Sequence, residues 1–448
     1  MNNVKLSVKF IGMIFCGFYF PLVTANQATP IPGSKLEDFF NAAINFSPDL
    51  RIAEENLNIG SARKKAANGQ LLPQINAGAS ISDNRLNQFN TLQTFSGERY
   101  YLGLSQTLFN WQQFAARKQA RFEENQLEEE YYYQLASLLT DVADRYFNVL
   151  QAEDALDSIS AEIEALTNQL DQIQSLYDRQ LAQITDLYQG QASLAAAQAE
   201  LLQLEAQFAI NQESLRSISG LDVGPLYQLG DEAKIPPLEY NQQYYVQQAR
   251  ENNHRILAGE YALKAADQNI SGRRGAYMPQ VSFIAQRQDS DVGFDNLPIN
   301  RQDNTYIGLN VSIPIYAGGS TRAGVSEALS QRSIAEYQLR AAQLQARELV
   351  RSAHLRVQAS ESQTDAARIL VESTALAAEA MQQGFALGTV TSVDVLNALR
   401  DQYQAERELQ RIRYEHIRYL LLLKRETGTL TAEDMLEVGS WLTPETPQ

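Results

Sequence analysis

The sequence predicts a mainly α-helical protein with a β part that spans a membrane, written as two copies of one unit. Three observations predict it. The 448-residue chain has no proline between Pro73 and Pro225 or between Pro314 and Pro444, and both intervals are rich in Ala, Leu, Gln, Glu and Arg, as long helices require. Short alternating runs interrupt this helical background twice. Segments also match in order between the halves: "LLPQINAGASIS" (71–82) with "YMPQVSFIAQRQ" (277–288), "YLGLSQTLF" from Tyr101 with "YIGLNVSIPIY" from Tyr306, and "LYDRQLAQITDL" (176–187) with "GFALGTVTSVDV" (384–395).

The N-terminus reads as a signal peptide over residues 1–25. Lys5 and Lys9 flank the start of an apolar run from Phe10 to Val23, and Val23-Thr24-Ala25 offers small residues for cleavage. A retained anchor is the alternative, but Gly12, Gly17 and Pro21 break the run and it is short for a spanning helix. Cys16, the only cysteine, lies here, with Phe15 where a lipoprotein signal needs a small residue. The remaining chain has no thiol for disulfides, nucleophilic catalysis or metal thiolates. Losing two lysines and no acid, it becomes still more negative than the −16 of the whole sequence, which disfavours nucleic acid as a partner.

Each half has the order helix, strand, strand, long helix, shorter helix. The first unit covers 26–219, with helices over 36–70, 112–176 and 186–219. A linker at 220–239 precedes the second unit, 240–427, with helices over 240–275, 320–383 and 394–427, and a polar tail closes the chain at 428–448. Ile159, Ile163, Leu166, Leu170, Ile173 and Tyr177 step by four and three, a heptad seam. The long helices reach roughly 100 Å at 1.5 Å per residue. The two shorter helices of a half sum to about that length, so stacked end to end they complete a second rod beside it.

The strands are expected at 75–82, 101–109, 281–288 and 306–315. Ile75, Ala77, Ala79 and Ile81 alternate with Asn76, Gly78, Ser80 and Ser82, and the other runs behave alike. Each run has about the length of a membrane-spanning strand. Aromatics flank them: Phe109, Trp111, Tyr277 and Tyr316 on the helix side, and Tyr100, Tyr101 and Tyr306 on the far side, as interface girdles require. Segments 83–97 and 289–304 read as long polar outward loops. A soluble antiparallel sheet packed on the helices is the alternative; the absence of any other sheet to pack on favours the membrane. Four strands do not close, and lipid tolerates no open edge, so several chains must share one barrel.

These residues resemble the TolC-like outer-membrane factors over essentially the whole chain: the duplicated order, "LLPQ" and "YMPQ" before the first strand of each half, "SIPIYAGG" (312–319), "YFNVL" (146–150) and "LGTVTSVDVLNA" (387–398). The resemblance implies a homotrimer in the outer membrane of a Gram-negative-type cell, with twelve strands in one barrel and a helical tunnel extending through the periplasm. It implies docking on an inner-membrane transporter through a periplasmic adaptor (membrane fusion) protein, and passive export by efflux or type I secretion. It also implies a gate at the periplasmic end, where Asp394 matches the family's ring acid and Asp186 its locking acid. Phe385, Val390 and Asn397 stand where the family's type member has a tyrosine, an arginine and a second acid. Capping is the competing role for both aspartates: Thr391 with Asp394 forms a T-x-x-D box, and Asp186 sits beside Thr185 at a helix start. Gly384 and Gly388 suit a tight turn, and Gly318 and Gly319 a strand-to-helix bend.

Nothing in the sequence assembles a catalytic constellation. His254, His354 and His416 are dispersed, and "GSTRAG" (319–324) lacks a phosphate-loop lysine. No cofactor, metal or enzymatic activity is expected. A periplasmic coiled-coil adaptor or scaffold is the alternative, disfavoured because strands interrupt the helices twice.

Overall fold

The computed structural model describes residues 34–88, 91–230, 233, 235–293 and 297–444; the expected signal peptide lies outside them. The first half contains α1 (Leu36–Phe46), α2 (Pro48–Gly69), β1 (Gln74–Gln88), β2 (Thr91–Phe109), α3 (Trp111–Asp178) and α4 (Ile184–Ser219). A short β3 (Gln228–Leu229) follows. The second half contains α5 (Gln242–Asn252), α6 (His254–Gly275), β4 (Gln280–Val292), β5 (Pro298–Ser312), α7 (Ser320–Ala386) and α8 (Ser392–Thr427). The described residues close with α9 (Ala432–Ser440) and β6 (Leu442–Thr443). Among the described residues no helix is long and apolar enough to cross a membrane.

The helices expected at 36–70 and 240–275 are each broken once, at equivalent places. Ser47 leaves the helical path and its hydroxyl accepts from Leu50 N–H, with Pro48 opening α2. Asn253, at the offset that relates Pro73 to Pro279, caps α6 by accepting from Arg255 and Ile256 N–H. Proline at the first helical position after a capping serine is a favoured start rather than a continuation. Against each break docks the end of the returning helix. Gly220, ending α4, lies so near the Phe46 ring that a Cβ would sit 2.7 Å from it. Gly428, ending α8, abuts Asn252, and Asn253 Nδ2 donates to Glu426 O at 2.8 Å. Both glycines take φ of +71°, a left-handed conformation that lets the backbones meet. Two short rods thus run end to end beside each long helix.

The largest core joins α1, the middle of α3, the end of α4 and the last turns of α8 around Phe39, Tyr146, Phe147, Leu150, Tyr414 and Ile417. This explains "YFNVL". Tyr146 is fully buried, and its hydroxyl accepts Tyr227 N–H at 3.0 Å while facing the carbonyls of Tyr227 (2.9 Å) and Ser34 (3.0 Å). The tail expected to be merely polar joins the same core. Thr431 and Asp434 form a capping box that starts α9, Met435 and Val438 are buried, and β6 pairs antiparallel with β3.

The main sheet has the order β1-β2-β4-β5, antiparallel throughout, so the hairpins of the two halves join through β2 and β4. Its strands run well beyond the expected ends. Residues 83–88, 91–97, 289–292 and 298–304 continue the ladders rather than form loops. Polarity alone misleads here, because backbone pairing does not require apolar side chains. Arg287 grips Asp303 through Nε (3.1 Å) and Nη2 (2.6 Å), and Arg301 reaches Asp289 in the same two-pronged way.

Candidate functional site

The register assigns the two faces of the sheet. Directly paired residues share a face, so Ile75, Leu104, Ala285 and Ile307 form one row, with Phe283 and Leu309 in the next row toward the helices and Val281 and Val311 beyond. Most of this face is uncovered: Ile75, Ile307 and Leu309 are 71%, 67% and 62% exposed. The opposite face carries Asn76, Ser80, Ser105, Gln286 and Asn310. Neither β1 nor β5 has a second neighbour among the described residues.

Two expected girdle residues fall on the other face. Tyr101 pairs with Gly78 and Gln288, and Tyr306 with Gln286, on the polar side. Their rings cover glycines: a Cβ on Gly78 or Gly308 would sit within 2.5 Å of Tyr101 or Tyr306. The apolar face carries Tyr100 instead, opposite Ala79. On the helix side Trp111 donates Nε1–H to Ser271 Oγ at 3.0 Å, while Tyr277 and Tyr316 are exposed. Tyr316 lies beyond the end of β5, before Gly318 and Gly319, both at positive φ (+59° and +84°), which turn the chain into α7.

At the far end of the helices the two hairpin turns share one geometry. After α7, Gly388 (φ +74°) donates its N–H to Phe385 O and Thr389 N–H bonds to Gly384 O, a Schellman closure. After α3, Gln180 N–H bonds to Tyr177 O and Leu181 N–H to Leu176 O, with Gln180 itself at φ +61°. A left-handed non-glycine is strained, so Gln180→Gly is expected to stabilise the chain by about 1 kcal/mol, read as a rise in thermal midpoint. Gly384 serves the second turn by close approach, since a Cβ there would lie 3.0 Å from Val390.

Both aspartates act as caps. Asp394 Oδ2 accepts Thr391 N–H (3.0 Å) and Oγ1–H (2.6 Å), and the hydroxyl accepts Asp394 N–H (3.3 Å). The Thr391 hydroxyl, then its N–H, hold this exposed carboxyl below the usual carboxylate range. Asp186 Oδ2 accepts Gln183 N–H at 3.4 Å. Among the described residues no hydrogen bond or ion pair joins Asp186 to 384–397. Phe385 and Val390 pack instead on a cluster built around Ile159, Leu166, Val395, Leu396 and Leu399, and Asn397 is exposed.

A family model described as "Outer membrane efflux protein" matches residues 40–221 and 245–429, one stretch in each half. The chain belongs to the outer membrane efflux protein family. Curated relatives agree: the chain is 27% identical over 412 residues to outer membrane protein TolC of Vibrio cholerae, covering 91% of this chain and 93% of that one. It is 25% identical to the alkaline protease secretion protein AprF of Pseudomonas aeruginosa, covering 92% and 88%. The crystal structure of the outer membrane protein VceC from Vibrio cholerae shares the fold at a TM-score of 0.75 and 19% identity, covering 88% of this chain and 96% of that one.

For this outer membrane efflux protein, sequence reading missed the residues that tie its two helical hairpins together. Arg407 on α8 reaches Glu162 on α3 at 2.8 Å and Glu200 on α4 at 3.7 Å, Tyr414 donates to Asp154 at 2.7 Å, and Arg418 lies 3.3 Å from Asp144. Glu162 is 4% exposed. Burial pushes its carboxyl up and Arg407 pulls it back. The seven-residue step from Arg407 to Tyr414 was the available signal, but it names no partner.

Proposed function

We propose that this chain forms the homotrimeric outer-membrane exit duct of a tripartite efflux or type I secretion system, carrying small molecules or proteins passively from an inner-membrane transporter. The observation that carries the reading is a sheet with one uncovered apolar face and two open edges, continued directly by two helical hairpins roughly 100 Å long. Three copies closing edge to edge give a lipid-facing barrel and remove every unpaired strand. No catalytic group, cofactor or metal is invoked, and the helical end docks a periplasmic adaptor. The test is a detergent-solubilised trimer that forms conducting pores in planar bilayers. A monomer soluble without detergent, as an adaptor or scaffold would be, overturns it.

In this reading the helical mouth is ringed by three copies of Asp394 and closed by apolar packing through Phe385 and Val390. Asp186 acts mainly as a cap, and Asn397 adds no charge. Asp394→Ala is expected to relieve divalent-cation block of single-channel current with only a small loss of stability. Unchanged block would restrict Asp394 to its cap.

A further inference from the structure

Four segments adjoin the sheet on its helix side: residues 61–70, 111–122, 268–279 and 313–326. Together they hold nine lysines and arginines and no acid, in a chain whose net charge is −16. Such a belt is opposite in sign to the protein that carries it. Within it, a cleft of about 660 Å³ opens between α2, the start of α3 and the end of α6, lined by Lys64, Trp111, Phe114, Arg117, Lys118 and Arg121. Lys64 is paired with Glu124. Arg117, Lys118 and Arg121 are exposed and make no ion pair among the described residues.

The cleft adjoins the apolar face of the sheet. Phe109 pairs with Val281 on the apolar face, and its ring stacks edge-on against Phe114 in the cleft wall, centroids 6.1 Å apart. An apolar track therefore runs from the uncovered strands into a pocket of three free cations, with Trp111 at the boundary. A free anion would use the cations but not the track. A molecule with an anionic head and an acyl tail uses both.

We propose that this cleft binds the headgroup of an anionic phospholipid, with the phosphate among Arg117, Lys118 and Arg121 and the acyl chains rising along Phe114, Phe109 and the apolar strand face. The site rests on the barrel reading above. It anchors the foot of the barrel at the inner edge of the lipid and fixes how deeply the sheet is inserted.

Trp111 is a built-in reporter. The only other tryptophan, Trp441, packs on the main core, whose buried residues on α3 begin at Leu138, about 40 Å from Trp111 along the helix axis at 1.5 Å per residue. The full-length protein is reconstituted in phosphatidylcholine vesicles containing equal small fractions of brominated phosphatidylglycerol or brominated phosphatidylcholine, and tryptophan quenching is compared. The expected result is quenching by the anionic lipid about fivefold more efficient than by the zwitterionic one, with the preference lost in Arg117→Gln/Lys118→Gln/Arg121→Gln. Lys118→Gln alone should weaken it if the triple variant does not assemble. Equal quenching by the two lipids overturns the site while leaving the barrel standing. No quenching by either overturns the barrel reading and the site with it. Loss of the preference on adding inorganic phosphate, at constant ionic strength, would show an ordinary phosphate site and overturn the lipid assignment.

Discussion

Arg407→Ala is expected to cost about 3–5 kcal/mol at neutral pH, the range for stranding one partner of a buried ion pair. Arg407 Nη1 is the cation 2.8 Å from a nearly inaccessible Glu162, and it bridges the two helical hairpins. Burial already raises the Glu162 carboxyl, and removing Arg407 removes the opposing pull. A raised carboxyl keeps its proton in the folded chain where the unfolded chain has released it. Its contribution is therefore full below the unfolded value of about 4.5 and lost as pH rises through the folded value. The deficit of the variant should be largest at pH 7 and shrink toward pH 4.5. Thermal unfolding of wild type and variant across that interval checks it. Adding Glu162→Leu should recover most of the loss, because the uncompensated charge is then gone. A deficit of equal size at both pH values would mean that lost packing of the arginine stem, not charge, is responsible.

Leu309→Arg is expected to destabilise the membrane part by about 2–4 kcal/mol per copy. Leu309 pairs with Phe283 and is 62% exposed on the apolar face, so in lipid a guanidinium there has no partner and no water. Asn310→Arg, one residue along and facing the polar side opposite Ser282, should be tolerated because in the proposed barrel that side faces the aqueous lumen. The yield of the folded assembly from outer membranes, and its thermal stability in detergent, separate the two. Equal damage from both would reverse the face assignment; equal tolerance would remove these strands from the membrane.

The duplicated order, the heptad seam and the strand alternation were legible because each is a local regularity. Periods of two and seven residues survive without knowledge of any partner. Ser47-Pro48 was legible too, since a capping residue before proline is a helix start, yet it reads as an interruption only if the flanking helices are not assumed continuous. Asn253 carries a weaker signal, and its role appears when its side chain is seen donating to Glu426 O.

Sequence alone fixed two long-helix units, each interrupted by a strand pair, and located both hairpin turns, because backbone propensity and hydrophobic period act over a few residues. The tertiary structure decided the rest. It put Tyr101 and Tyr306 on the polar face, where their alternation with Leu102 and Ile307 already pointed. Backbone ladders held the polar segments in the sheet, with cross-strand ion pairs beside them on β4 and β5. The Schellman closure after α3 left Gln180 in a conformation nothing in its identity suggests. The buried contact of Arg407 with Glu162 joins residues 245 positions apart. Such contacts depend on which helix faces which, and that is set by the packing of the whole core rather than by any segment of it.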